Sequence, residues 1–127
     1  VSEVVLDASA ILAVLNREPG AEAILPMLTF GLISSVNYAE TLSKLVDQGA
    51  SGDQARAAFF ELGVDVADFD RSLADRAGEL RSITRHRGLS LGDRACLALA
   101  EREGVPVVTT DRNWSDILPS LDIRVMR

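Results

Sequence analysis

Val4-Val5-Leu6-Asp7-Ala8-Ser9-Ala10-Ile11-Leu12-Ala13-Val14-Leu15 changes period part-way through. Val4, Val5 and Leu6 are a short apolar, β-branched run, the pattern of a strand buried on both faces. Beyond Asp7 the spacing turns helical, with Ile11, Leu12 and Leu15 on one face. A strand leading into a helix is a βα unit, and the rest of the chain repeats it. Pro19-Gly20 breaks the chain, and Ala21 to Leu28 predicts a weaker helix interrupted by Pro26. Leu32-Ile33 predicts a second strand, followed by a helix capped by Ser34 or Ser35 with Val36, Ala39, Leu42 and Val46 as its apolar stripe. A helix over Asp53 to Leu62 is released by Gly63 into a third strand, Val64-Asp65-Val66.

The longest helix is expected over Asp70 to Arg87, on the stripe Leu73, Ala77, Leu80 and Ile83. Another is expected over Asp93 to Glu103, stopped by Gly104. Val107-Val108 reads as a fourth strand running toward Asp111, Trp114 to Leu118 as one helical turn, and Ile123-Arg124-Val125 as a last short strand. Such alternation predicts a three-layer α/β/α sandwich around a central parallel sheet of about four or five strands. A length of 127 residues suits one domain spanning 1–127.

Composition narrows the function. Cys96 and His86 are the only cysteine and histidine, which excludes a disulfide framework and a zinc site. No apolar run reaches the ~18 residues of a membrane span, and Val1-Ser2-Glu3 does not read as a secretion signal, so a cytoplasmic protein is expected. The net charge of −6 argues against a broad basic face for nucleic acid. Lys44 is the only lysine; the other cations are arginines, whose planar fork suits phosphate or carboxylate.

In open parallel sheets ligands gather beyond the carboxyl ends of the strands. Asp7 follows the first strand, Asp111 the fourth, Asp93 stands where a helix begins, and Glu40 lies early in the helix leaving the second strand. Four carboxylates converging on one rim form an oxygen-only cluster of the kind that hard divalent cations take. Each acid also has a plainer role: Asp is common as a helix cap or turn former, and Glu40 stands four residues before Lys44 as an ordinary helical ion pair. Ser9 and Thr110 adjoin two of the acids, where a hydroxyl can steady a carboxylate. The stretch Arg81-Ser82-Ile83-Thr84-Arg85-His86-Arg87 reads as cations favoured at a helix end, or as a phosphate track. Trp114 reads as a packing anchor, and Arg94 and Arg112 as exposed ion pairs.

The order of these pieces resembles the PIN-domain ribonucleases, and within them the VapC-like toxins of toxin–antitoxin pairs. The resemblance rests on VVLDASAILAVLNREPGAE (Val4 to Glu22), SSVNYAE ending at Glu40, LSLGDRACLALA around Asp93 and VVTTDRNW around Asp111. It implies a parallel sheet flanked by helices and endonucleolytic cleavage of RNA dependent on one or two Mg²⁺ or Mn²⁺ ions at Asp7, Glu40, Asp93 and Asp111. Ser9 and Thr110 stand behind these acids, and Asn113 takes a place where many relatives have Ala. An antitoxin that inserts a basic residue into the acidic cleft, and self-association as a homodimer, are further implications. Asp116 falls where a surface position is expected.

Two other readings compete. A phosphoacceptor receiver domain needs an acidic pair after the first strand and a lysine after a late one, whereas Asp7 is followed by Ala8 and Ser9 and the one lysine is Lys44. The same Ser9 stands where an Asp-x-Asp phosphatase needs its second acid. A noncatalytic interaction module on the same α/β fold is the other alternative.

Overall fold

A computed structural model describes residues 2–127. Five strands, β1 (Val4–Leu6), β2 (Gly31–Ser34), β3 (Asp65–Ala67), β4 (Val107–Thr109) and β5 (Ile123–Val125), form one parallel sheet in the order β3-β2-β1-β4-β5. Six α-helices flank it: α1 (Ala8–Leu15), α2 (Ala21–Ile24), α3 (Ser35–Asp47), α4 (Gly52–Phe60), α5 (Arg71–Thr84) and α6 (Leu91–Glu103). The architecture is the three-layer α/β/α sandwich expected from the alternation of strands and helices.

The pleat divides the core in two, because successive side chains leave a strand on opposite faces. Val5, Leu32 and Val107 pack under α5 and α6, against Leu73, Ala77, Leu80 and Leu97. Val4, Leu6, Ile33 and Val108 pack on the other face with Ile11 of α1, Ile24 and Phe59. β1 is buried on both faces, whereas Asp65 and Val66 of the edge strand β3 are exposed. No helix among the described residues is long and apolar enough to cross a membrane.

The strand order locates the crevice. The chain runs outward from β1 through β2 to β3, then returns to place β4 and β5 on the other side of β1. The order therefore reverses between β1 and β4, and a groove opens beyond their carboxyl ends. Asp7 follows β1 directly; β4 ends at Thr109, two residues before Asp111.

Several elements differ from the sequence reading. The buried residues of α3 are Asn37, Thr41 and Leu45, while Val36 and Leu42 are half-buried and Ala39 and Val46 exposed. Polar Asn37 and Thr41 are buried with hydrogen bonds of their own: the Thr41 hydroxyl donates to Asn37 O at 2.8 Å, and Asn37 Nδ2 donates to Gly92 O at 2.9 Å, while Asn37 Oδ1 has no partner among the described residues. The expected longest helix stops at Thr84, and Arg85–Arg87 forms a separate 3₁₀ turn, with Thr84 buried and Ile83 exposed. α6 begins at Leu91 on a Ser90 cap, which moves Asp93 inside its first turn. Pro26 falls in a 3₁₀ turn, Leu25–Phe30, because a residue lacking N–H is tolerated only at the start of such a turn. The turn after β4 is the 3₁₀ segment Arg112–Trp114, and Ile117 and Leu118 are buried without a helix. Gly20 is a glycine of necessity: its φ is +97°, and a Cβ there would run into the carbonyl oxygen of Met126.

Candidate active site

Asp7 is the most enclosed of the acids, 5% exposed in the groove between β1 and β4. As the N-cap of α1 it accepts from Ala10 N–H at 2.9 Å. Two hydroxyls also reach it: Ser9 Oγ at 2.7 and 2.9 Å from its two oxygens, and Thr109 Oγ1 at 2.7 Å. The direction of both bonds follows from what else the hydroxyls do. Ser9 Oγ accepts from Thr110 N–H at 3.1 Å, and Thr109 Oγ1 accepts from Asp111 N–H at 3.0 Å, so both turn their protons toward Asp7.

Those three protons leave part of the carboxylate's acceptor capacity unused, since an ionised carboxylate offers about four lone-pair sites. Among the described residues no cation is paired with it. Burial pushes Asp7 up from an ordinary 3.8 to about 6, against the pull of its hydrogen bonds to Thr109, Ser9 and Ala10, and the charge of Asp93 adds to the rise.

The other three acids share one arrangement: one oxygen is held and the other accepts nothing from the described residues. Glu40 is exposed, and its Oε1 accepts from Asn37 Nδ2 at 2.8 Å. The same Nδ2 donates to Gly92 O at 2.9 Å, tying α3 to the first turn of α6. Glu40 lies over Gly92 so closely that a Cβ there would come within 2.5 and 2.6 Å of its two carboxylate oxygens. Asp93 Oδ2 accepts from Ser90 N–H at 3.0 Å, and Ser90 Oγ accepts from Asp93 N–H at 3.1 Å, a reciprocal capping box. Asp111 Oδ1 accepts from Asn113 N–H at 2.9 Å, capping the turn before Trp114. Asp7, Asp93 and Asp111 therefore do cap turns and helices, and in doing so each is held in a fixed orientation.

The charges of Asp7, Asp93 and Glu40 all bear on one buried group. The buried Cys96 thiol, already pushed well up by desolvation, is pushed further by the charges of all three. Asp111 joins them through Thr109, which touches Asp7 with its proton and Asp111 with its lone pair. None of the four acids is in an ion pair among the described residues, and Glu40 and Lys44 make none. The side chains are not drawn in to ligating distance: no three His, Cys, Asp or Glu of the described residues form a group spaced to share an ion. The donor set nevertheless fits a hard divalent cation, all oxygen, without a competing arginine, with a free oxygen on each rim acid.

The neighbouring residues sort themselves by geometry. Thr110 contributes its backbone N–H, and the hydroxyl on Asp7 belongs to Thr109, which sequence reasoning passed over along with Asn37 and Gly92. Thr109 carried a signal: a threonine two residues before an aspartate can bond that aspartate's N–H in a local turn. Asn37 and Gly92 carried none, being 55 residues apart. Asn113 Nδ2 donates to Arg87 O at 2.7 Å, away from the acids. Arg94, expected as an exposed ion pair, instead donates from Nη1 to Ala77 O at 2.8 Å, with its Nε buried. Arg112 is exposed with no ion pair among the described residues, and Asp116 is exposed at a φ of +59°. Trp114 is fully buried, as a packing anchor should be.

A family model described as the PIN domain matches residues 4–117. No curated protein matches the chain. Among solved structures, VapBC2 from Rickettsia felis bound to a DNA fragment from its promoter is 23% identical, with a TM-score of 0.74 over 98% of each chain. The DNA-bound VapBC from Salmonella typhimurium is 19% identical, with a TM-score of 0.76 over 100% of each. VapC20 of Mycobacterium tuberculosis, described as a sarcin-ricin loop cleaving toxin, is 18% identical, with a TM-score of 0.72 over 91% of this chain and 92% of that one.

Proposed function

The chain belongs to the PIN domain family, and from that premise we propose that it is a metal-dependent endoribonuclease, the toxin of a toxin–antitoxin pair, with its site at Asp7, Glu40, Asp93 and Asp111. The supporting observation is a buried, uncompensated carboxylate, Asp7, held by three protons with no cation beside it and with further free carboxylate oxygens around it. Burying an ionised group is costly unless something pairs with it. A divalent ion is the partner this oxygen set suits, and it would be held by Asp7, Asp93 and Asp111, with Glu40 directly or through water.

One or two Mg²⁺ or Mn²⁺ ions bound there supply Lewis acidity, which lowers the pKa of water and steadies charge on the leaving oxygen of a phosphodiester. The protein's own residues set the stage. Ser9 and Thr109 fix the orientation of Asp7, Asn37 fixes Glu40, the Ser90 box fixes Asp93, and Asn113 N–H fixes Asp111. Because no arginine of the chain occupies the cluster, the cluster suits a basic side chain brought by a partner. An antitoxin inserting an arginine would neutralise it and exclude both ion and substrate. Self-association as a homodimer belongs to the same reading.

The test is metal removal. Protein freed of any partner and incubated with structured RNA in Mn²⁺ is expected to cleave it, to stop in EDTA and to resume when Mn²⁺ is restored. Cleavage that continues undiminished in EDTA sinks the proposal. An inert protein whose melting temperature still rises with Mn²⁺ is instead the noncatalytic module.

A second expected result concerns the seat of Glu40. Gly92→Ala should leave the melting temperature nearly unchanged, since the group it strikes is the end of a flexible side chain and Ala suits a helix better than Gly. Glu40 must swing away, so cleavage at limiting Mn²⁺ should fall by about tenfold or more. Unchanged activity would remove Glu40 from the site.

A further inference from the structure

The basic stretch that runs from the last turn of α5 into the 3₁₀ turn plays no part in the candidate site. From Leu80 to Gly92 the sequence holds no acid, yet it carries Arg81, Arg85, His86 and Arg87, in a chain of net charge −6. Cations at a helix end are ordinarily explained by the macrodipole, which asks only that they lie near the last turn. Here the stretch is docked. Arg85–Arg87 leaves the helix as its own turn, closed by Gly88 at a φ of +64°. Arg87 Nη1 donates to the carbonyls of Asn113 and Ser115 at 2.8 and 2.9 Å, and Asn113 Nδ2 donates back to Arg87 O at 2.7 Å. Asn113 also gives its N–H to Asp111 at 2.9 Å, so one residue joins the basic turn to the acidic rim.

The clasp consumes Arg87 and leaves the others open. Arg81, Arg85 and Arg112 are exposed, and none has a carboxylate within ion-pair distance among the described residues. Elsewhere Arg56, Arg76, Arg102 and Arg124 find one, while Arg17, Arg71 and Arg127 are exposed without one among the described residues. Arg81 and Arg85 are also four residues apart, a spacing at which like charges on a helix repel. Arg112 directly follows Asp111, the clasp ties the turn carrying Arg85 to that same segment, and Arg81 stands one helical turn before Arg85, so the unpaired guanidinium groups are in the form that phosphate would use.

We infer that Arg81, Arg85 and Arg112 form a ridge that contacts the phosphates of an RNA strand and leads it to the carboxylate rim, held there by the Arg87–Asn113 clasp. The inference rests on the ribonuclease reading. Such contacts position a strand without reading its bases, and the burial of Trp114, which takes it away from base stacking, agrees.

The test measures equilibrium binding of a labelled single-stranded RNA, in EDTA, to the Asp7→Asn protein and to the same protein carrying Arg81→Ala, Arg85→Ala and Arg112→Ala. Arg71→Ala serves as control: Arg71 opens α5, about 20 Å along the helix from its far end. Removing three contacts should lower the slope of log affinity against log salt by about 2, at about 0.7 per contact on a single strand. The affinity lost between about 50 and 200 mM salt should then shrink by about twentyfold relative to the parent. Arg71→Ala should leave the slope as it was.

An unchanged slope in the triple variant, or no binding by the parent, overturns the ridge, provided melting curves show the variants folded. Equal, ridge-dependent binding of duplex DNA overturns the assignment to RNA. Cleavage by the unmodified protein in Mn²⁺ is scored separately: a ridge-dependent slope without cleavage overturns only the ribonuclease reading, and cleavage without the slope change overturns only the ridge.

Discussion

Replacing Asp7 by Asn is expected to yield a protein that melts at a higher temperature and no longer cuts RNA. Both effects come from the same burial. The folded carboxyl titrates at about 6 against an ordinary 3.8, a difference equivalent to about 3 kcal/mol of cost for holding the ion in the fold. With the folded value above the unfolded one, the cost is fully present above pH 6, shrinks as pH falls through 6, and has vanished below 3.8.

Asp7→Asn removes that cost and can keep the Ala10 N–H bond through its amide oxygen, while the Ser9 and Thr109 hydroxyls rotate to accept from the amide nitrogen. The variant should therefore outmelt its parent at pH 7.5, with the gap closing as the buffer is taken toward pH 4.5. Mn²⁺ should raise the melting temperature of the parent and not of the variant, because only a folded state with a site gains from added ligand. Cleavage should fall by more than about a hundredfold, since even outer partners of a metal ligand are worth 10- to 100-fold. Asp93→Asn should lose cleavage likewise. A variant that melts lower than its parent at pH 7.5, or that cuts as well, would show that Asp7 is a helix cap and nothing more.

Trp114→Ala is the largest expected loss of stability. The indole is completely buried, in the cluster that includes Val107, Leu97, Ile117 and Leu118. Truncating a buried Trp leaves a cavity that costs about 3–5 kcal/mol, and for a chain of this length the melting temperature should drop by about 10–20 °C. Trp114→Phe separates packing from hydrogen bonding. The indole Nε1 is buried with no partner among the described residues, so Phe discards an unsatisfied donor along with part of the volume. Its loss should be less than half that of Ala. Equal losses for Phe and Ala would mean that Nε1 makes a bond after all.

The strand-and-helix order was legible because each buried strand is an apolar run ended by a polar residue, as at Leu6-Asp7. The face of α3 was not. Asn37 and Thr41 are buried by hydrogen bonds that no hydropathy pattern registers, so the apolar stripe pointed to the wrong side. For the candidate site, Asp7, Asp93 and Asp111 could be picked out because they follow or cap elements, whereas Glu40, on the polar side of its helix, stood out only through the resemblance, and the supports of all four could not be read. Whether Thr109 or Thr110 faces Asp7 depends on the pleat of β4, and the Asn37–Gly92 link joins two helices that only the sheet brings together.

The middle of the sheet is assembled from the two ends of the chain. Asp7 receives its Thr109 proton from a residue 102 positions later. A ribosome adding about 5–20 residues per second needs about 5–20 s to cross that interval. During that time the nascent chain displays its first acid but neither β4 nor Asp111. A product that aborts before Val107 lacks β4, Thr109 and Asp111, so the candidate site cannot assemble in it.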